Sequence, residues 1–178
     1  MTIKNIVLAG TPQLRHITKP VPSEMFGTNE LNNMVETMFA TMKANKGVGL
    51  AASQIGLEYR VLTFGFDTNH PRYPDQEPVP FTLMVNPEIL SKSQNMIYLY
   101  EGCLSLPEVR GLVPRFEWIE VKAYDEKGYA FQQRYEGFTA RIIQHEIDHL
   151  DGKLYPERMD NMRTLGITAA LREAGVIR

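Results

Sequence analysis

The sequence predicts an α+β fold in which mostly antiparallel strands pack around a central helix carrying an HExxH pattern, with another helix near the N-terminus. Three observations predict it. An early segment repeats apolar residues at spacings of three and four; the middle of the chain is rich in β-branched and aromatic residues interrupted by Gly, Pro and Asn; and a second helical segment follows a hairpin signal. At 178 residues and 43% hydrophobic content, the chain suits one core and one domain spanning residues 1–178.

The elements follow in order. Leu31, Met34, Val35, Met38, Phe39 and Met42 mark a helix over 29–45, with Thr28 as N-cap and Gly47 just past its end. Its Met and Phe stripe has helical spacing and reads as core packing rather than a ligand face. Residues 59–66, 82–85 and 96–100 read as strands, whereas 67–80 holds four prolines and no periodicity and reads as a surface loop. Residues 118–124 and 129–135 flank Asp125-Glu126-Lys127-Gly128, a turn that pairs them as a hairpin. A strong helix over 139–150 stops near Gly152, and a weaker one covers 161–174.

Composition limits the partners. With 19 Lys+Arg against 21 Asp+Glu, the chain has no charge-driven pull toward nucleic acid or an anionic membrane. The opening MTIKNIVLAG lacks the pattern of a secretory signal or transit peptide, and no run of about 18 apolar residues occurs. Cys103 is the only cysteine, so no intrachain disulfide forms and a reducing, cytoplasmic setting is expected.

The sharpest motif is His145-Glu146-Ile147-Asp148-His149 within the predicted second helix. Positions i and i+4 project from one helix face, so both imidazoles can reach one metal ion with Glu146 beside them. No zincin extension follows His149, so the third ligand must come from elsewhere. A lone cysteine is usually a small buried hydrophobe. Beside a two-histidine site, Cys103 in Glu101-Gly102-Cys103-Leu104-Ser105 becomes the candidate, and Cys plus two His leaves one position for water, as catalytic sites do. The segment Gly47-Val48-Gly49-Leu50-Ala51-Ala52-Ser53-Gln54 lacks the Lys-Ser/Thr pair of a phosphate loop. Gly47 and Gly49 would let a substrate backbone lie close, and Gln54 can donate to an oxyanion; a tight helix-to-strand turn with a surface glutamine explains the same segment. Glu101 and Asp148 either orient the histidines or pair with Arg110 and Arg141. His16 and His70 read as solvated.

Together GVGLAASQ, EGCLS and QHEIDH resemble, in order and spacing, the three signature motifs of peptide deformylases, and the likeness extends over nearly the whole chain, including the stretch 107–114. The resemblance implies Cys103, His145 and His149 as metal ligands and Glu146 as catalytic acid/base. It also implies Gln54 and the Leu104 N–H as oxyanion donors, and Arg110 near the mouth of the site. The implied reaction removes the formyl group from the N-terminal methionine of nascent polypeptides, with the ribosome as an encounter partner. Cys and His ligands suit zinc, iron, nickel or cobalt; the resemblance implies Fe2+ in the cell, with Zn2+, Ni2+ or Co2+ in purified protein. A slot for the methionine side chain would be walled by Val48, Leu99, Phe138 and Ile142, and ordinary core packing explains these four equally well. The loop 67–80 is longer than in the shortest bacterial members, the stretch from ARIIQHEIDHLDG to MDNMRT looks like the organellar branch, and the tail 164–178 does not match the long helix ending many bacterial members. A zincin-type endopeptidase and a non-enzymatic reader of formylated N-termini are the competing classes. The former lacks its downstream ligand here, and the latter has no use for Glu146 and Gln54.

Overall fold

The computed structural model describes residues 2–177. Helix α1 (Asn29–Ala44) starts where Thr28 Oγ1 accepts a hydrogen bond from the Leu31 N–H at 3.4 Å. It closes with the Gly47 N–H donating to Met42 O. The methionine stripe is core: Leu31, Met34, Met38 and Met42 are buried against Val21, Met25, Leu50, Ile55, Val61 and Val85.

Strands β1 (Gly49–Ala51), β2 (Val61–Phe66), β3 (Val79–Lys92), β6 (Trp118–Tyr124) and β7 (Ala130–Glu136) form one antiparallel sheet in the order β1-β2-β3-β6-β7. Strands β4 (Met96–Cys103), β5 (Leu106–Phe116) and β8 (Gly166–Ile167) form a second, in the order β4-β5-β8. The β6–β7 hairpin turns as the sequence predicts: Asp125 Oδ1 accepts from the Lys127 and Tyr129 N–H groups at 2.9 Å, and Gly128 takes a φ of +87°.

Helix α2 (Gly137–Leu150) begins at a left-handed Gly137, φ +57°, which turns the chain from β7 back over the sheet. Ala140, Ile142, Ile143, Ile147 and Leu150 enter the core formed by Leu62, Phe64, Met84, Ile119 and Val121. Every residue from 140 to 150 is buried, so the polar residues of α2 must find partners inside the protein. No helix among the described residues is long and apolar enough to cross a membrane.

The structure departs from the sequence expectation most at β3, at β5 and in the C-terminal stretch. The 82–85 strand is part of the longer β3, which passes through Pro80 and Pro87 because both lie at pairing irregularities, opposite Gly65 and between Val85 and Glu88, where no ladder N–H is required. Strand β5 contains Pro107, Gly111 and Pro114, which hide its strand character. The weak helix over 161–174 is reduced to α3 (Thr168–Glu173): a 3-10 turn, Met162–Thr164, precedes β8, and Gly166 pairs with Arg110 instead of joining a helix that it would weaken by about 1 kcal/mol.

At Gly65 strand β2 runs close against the backbone of β3. The Gly65 φ is +129°, and a Cβ there would stand 2.6 Å from Phe81 Cα and 2.7 Å from Pro80 O. Both obstacles are backbone or bonded to it, so they cannot yield as a flexible side chain would. Gly65→Ala is expected to lower stability by roughly 1–3 kcal/mol or more. A chemical unfolding midpoint equal to that of the parent protein would contradict this account of the bulge.

Candidate metal centre

The site is assembled around Glu101, a buried carboxylate on β4. Arg115 of β5 reaches it through Nε at 2.9 Å and Nη2 at 3.0 Å, Arg141 of α2 through Nη1 at 2.7 Å, and His145 Nδ1 lies 2.8 Å from its Oε2. Burial alone would raise the Glu101 pKa, but Arg115 and His145 outweigh it and hold the group well below the ordinary carboxylate range. Arg115 also meets Asp148 at 2.5 Å, and Arg158 reaches the same carboxylate at 2.6 Å. Thus Glu101 both orients a histidine and pairs with Arg141, whereas Asp148 meets arginines only; Arg110 pairs with neither.

With Nδ1 of His145 fixed by Glu101, its Nε2 is left for a metal. Cys103 Sγ lies 3.1 Å from His149 Nε2, and one donor atom from each of Cys103, His145 and His149 falls within 4.8 Å of the other two. Burial raises the Cys103 pKa, but the two imidazoles overcome it and pull it well below the usual thiol value. His145 moves the opposite way: burial lowers its pKa, and Cys103 and Glu101 more than reverse that. Both shifts express one requirement, a positive charge next to a buried thiolate. A divalent cation meets it, and one sulfur with two imidazole nitrogens is a donor set for a catalytic metal with an open position.

Glu146 stands beside these donors without joining them. Its Oε2, like His149 Nδ1, is buried with no hydrogen-bond partner among the described residues. Burial pushes its pKa up to about 7, with Cys103 and Glu101 adding to the rise and the two histidines opposing it. Gly49 is the other half of this arrangement: a Cβ there would lie 2.8 Å from Glu146 Cδ and 2.9 Å from its Cγ. Glycine at 49 therefore makes room for the carboxylate as well as bordering the cleft.

Gln54 is buried, not a surface residue. Its Oε1 accepts from the Ala51 N–H at 2.9 Å, which turns Nε2 toward Cys103 Sγ at 3.5 Å and Ser105 Oγ at 3.2 Å. Leu104 occupies the turn between β4 and β5, directly after the thiolate. These residues open into a cleft lined also by Val48, Gly49, Leu104, Phe138 and Ile142.

Leu99 does not line it: the first residues of β4 form an uncovered edge, and Leu99 is 42% exposed. Arg110 lies in an adjoining groove, its guanidinium 5.4 Å from the Tyr73 ring centre. Tyr73, Arg72 and Tyr100 line the cleft without having been anticipated, because the loop that supplies the first two shows no periodicity. His70 is not simply solvated; it packs 5.3 Å from Phe66 and 6.1 Å from Tyr73, which itself packs 4.8 Å from Phe138.

An α+β frame that buries a Cys/His/His cluster able to hold a metal ion, beside a carboxylate on the helix of the two histidines, defines a class, the metal-dependent hydrolases. Residues 3–164 match the family described as Polypeptide deformylase, and the chain belongs to that family. It is 46% identical over 169 residues to "Peptide deformylase 2" of Ralstonia nicotianae, covering 95% of this chain and 94% of the relative. It is 40% identical over 178 residues to "Peptide deformylase 1" of Prochlorococcus marinus, covering 99% and 91%. Among solved structures, the Met-Ala-Ser-bound class I type b peptide deformylase of Acinetobacter baumannii superposes with a TM-score of 0.85 at 39% identity, covering 89% of this chain and 99% of that one. The peptide deformylase of Thermotoga maritima gives a TM-score of 0.78 at 34% identity, covering 90% and 100%.

Arg115 is the residue whose loss should be felt most widely. Arg115→Met leaves Asp148 and Glu101 short of a buried counter-charge and is expected to cost about 3–5 kcal/mol in chemical unfolding. The pH dependence has a defined sign. For Asp148, burial raises the pKa, but the Arg158 hydrogen bond and Arg115 bring it below its ordinary value. Its contribution is therefore full above the unfolded carboxylate pKa of about 4 and is lost as pH falls through the lower folded value. The unfolding midpoint of the parent should drop below that pH, and less steeply in Asp148→Asn; parallel profiles would refute the assignment.

Proposed function

We propose that this chain hydrolyses the N-formyl amide at the start of newly made polypeptides, releasing formate and a free N-terminal methionine, with residues 1–178 as one catalytic domain. The observation that carries the reading is the unpartnered, buried Glu146 carboxylate beside the Cys103, His145 and His149 donors, at the wall of the cleft. These three residues would hold the ion, Fe2+ in the cell and Zn2+, Ni2+ or Co2+ in purified material. When bound, a divalent ion there supplies Lewis acidity toward water and a carbonyl oxygen.

The remaining chemistry belongs to side chains and backbone. Glu146 accepts the proton that water gives up on attacking the formyl carbon, then passes it to the amide nitrogen, which leaves poorly unless protonated. A carboxyl group at the wall of the cleft, one residue along the helix from His145, is placed for both directions of that transfer. The Gln54 amide, held by the Ala51 N–H, and the Leu104 N–H donate to the oxyanion. Val48, Phe138 and Ile142 receive the methionine side chain, Gly49 lets the substrate backbone approach, and Arg110 stands by the mouth. The Met-Ala-Ser-bound relative supports a peptide that begins with methionine in this cleft. Such an enzyme works in the cytoplasm and meets its substrates as they leave the ribosome.

The direct test is anaerobic hydrolysis of formyl-Met-Ala with metal analysis on the same sample. Formate release by protein holding about one ion per chain is expected; fully loaded protein that releases none would refute the reading. Two further outcomes follow. A formyl group should be strongly preferred over acetyl, because the extra methyl must fit against the buried ligands; comparable kcat/KM for the two peptides would exclude a tight acyl site. Glu146→Gln should keep its metal and lose roughly 10²- to 10⁴-fold in kcat, with KM changing far less. Full metal occupancy with near-parental turnover would remove Glu146 from the proton path.

A further inference from the structure

Two guanidinium groups converge at the mouth of the cleft, and among the described residues no carboxylate pairs with either. Arg110 stands on β5 across from Gly102 of β4 on one side and Gly166 of β8 on the other. It is only 8% exposed, yet its guanidinium makes no ion pair or hydrogen bond among the described residues; it lies 5.4 Å from the Tyr73 ring centre. Arg72, on the loop before β3, approaches the same ring at 5.8 Å and likewise makes no ion pair. A Cβ on Gly102 would stand 3.2 Å from Arg72 Nη2 and 3.5 Å from Arg110 Cζ, so the two groups meet above the residue that precedes Cys103. Arg115 and Arg141 differ: both are deeper, and both are satisfied by Glu101.

Two cations brought together, one of them nine-tenths buried, repel each other and forgo solvation unless an anion joins them. The forked geometry of guanidinium matches a carboxylate. Glu108 does not fill this role; it lies on the outer wall of the groove, exposed. The groove shares Arg72, Gly102, Cys103 and Leu104 with the cleft and continues past Pro107 to Thr168, while Glu146 borders the cleft alone. It therefore leads away from the reacting atoms, in the direction open to the rest of a substrate chain.

We propose that Arg72 and Arg110 form a carboxylate-binding subsite for an acidic side chain among the three residues that follow the substrate's methionine. The proposal rests on the deformylase reading for the identity of the ligand. Formate, the other carboxylate present during the reaction, shares the chemistry but is formed beside Glu146 and not over this groove.

The test uses the metal-loaded protein and matched peptide amides, Met-Ala-Ala-Ala-amide carrying Glu or Gln at the second, third or fourth residue. The amide cap removes the terminal carboxylate, and calorimetry reads affinity without turnover. At one of these positions the Glu peptide should bind roughly 5- to 10-fold more tightly than its Gln counterpart, with the ratio shrinking as salt rises. Arg72→Gln should bring that ratio to about one, and Arg72→Lys should restore part of it. The formylated peptides should show the same ratio in KM rather than kcat. Equal affinities for Glu and Gln at every position overturn the subsite, whether or not any peptide is hydrolysed. A ratio that survives Arg72→Gln while both peptides weaken equally makes Arg72 merely structural and overturns its assignment. If peptide discrimination is absent and Arg72→Gln instead relieves inhibition by sodium formate, the subsite holds product and the acidic-side-chain assignment fails. No formate release from any formylated peptide defeats the deformylase reading, and the calorimetric comparison still decides whether the carboxylate site exists.

Discussion

The buried carboxylate of Glu101 is the constraint on which the site depends. It joins β4 to β5 through Arg115 and to α2 through Arg141 and His145, so one residue ties the second sheet to the helix that carries the other donors. Cys103, two residues along the same strand, is thereby held against His149. Burying this many charges is costly, and pairing them is often no more stabilising than an apolar core of the same shape. Their value here is positional: a planar carboxylate flanked by two fixed guanidinium groups holds His145 with Nδ1 engaged and Nε2 directed to the thiolate.

The same interior treats two glutamates in opposite ways. Glu101 is surrounded by cations and stays ionised far into acid, whereas Glu146, equally buried but without a fixed partner, has its pKa pushed up to about 7. The separation comes from the strands facing each residue. Glu101 faces the arginines of β5 and α2, and Glu146 faces the bare backbone of Gly49 on β1, which offers it space and no charge. One carboxylate is held as an anion by the charges around it, and burial without such charges favours the protonated form of the other.

What was legible in the sequence was local. HExxH on a helix, a cysteine just beyond a strand and a glycine-rich segment ending in glutamine each carry their meaning within a few residues, and the fold brings all three to one place. Arg115 gave no such signal, since its partners lie on β4 and α2 and only tertiary pairing reveals them. Arg72 and Tyr73 sit in a proline-rich loop whose contribution to the cleft depends on ring packing against Phe138. Leu99 misled because its strand character was correct while nothing in a sequence states whether another element will cover that end of the strand. Strand β5 and the short β8 were obscured because the Pro and Gly residues that suit an edge, a bulge or a close crossing also lower strand propensity.

Helix α2 shows how fully these demands are met at once. Gln144 accepts from the Phe116 N–H and donates to the Phe116 carbonyl, both at 3.0 Å, so its amide docks the helix to β5 much as a neighbouring strand would. Ile143, Ile147 and Leu150 supply the apolar contact, and Asp148 anchors Arg115 and Arg158. In a helix buried along this whole stretch, each polar group would normally be satisfied. The two atoms of α2 with no hydrogen-bond partner among the described residues, Glu146 Oε2 and His149 Nδ1, belong to the HExxH motif itself. Since unsatisfied buried polar atoms cost about 1–3 kcal/mol each, a helix that satisfies Gln144 and Asp148 on either side of them concentrates its unmet bonding capacity beside the Cys103, His145 and His149 donors.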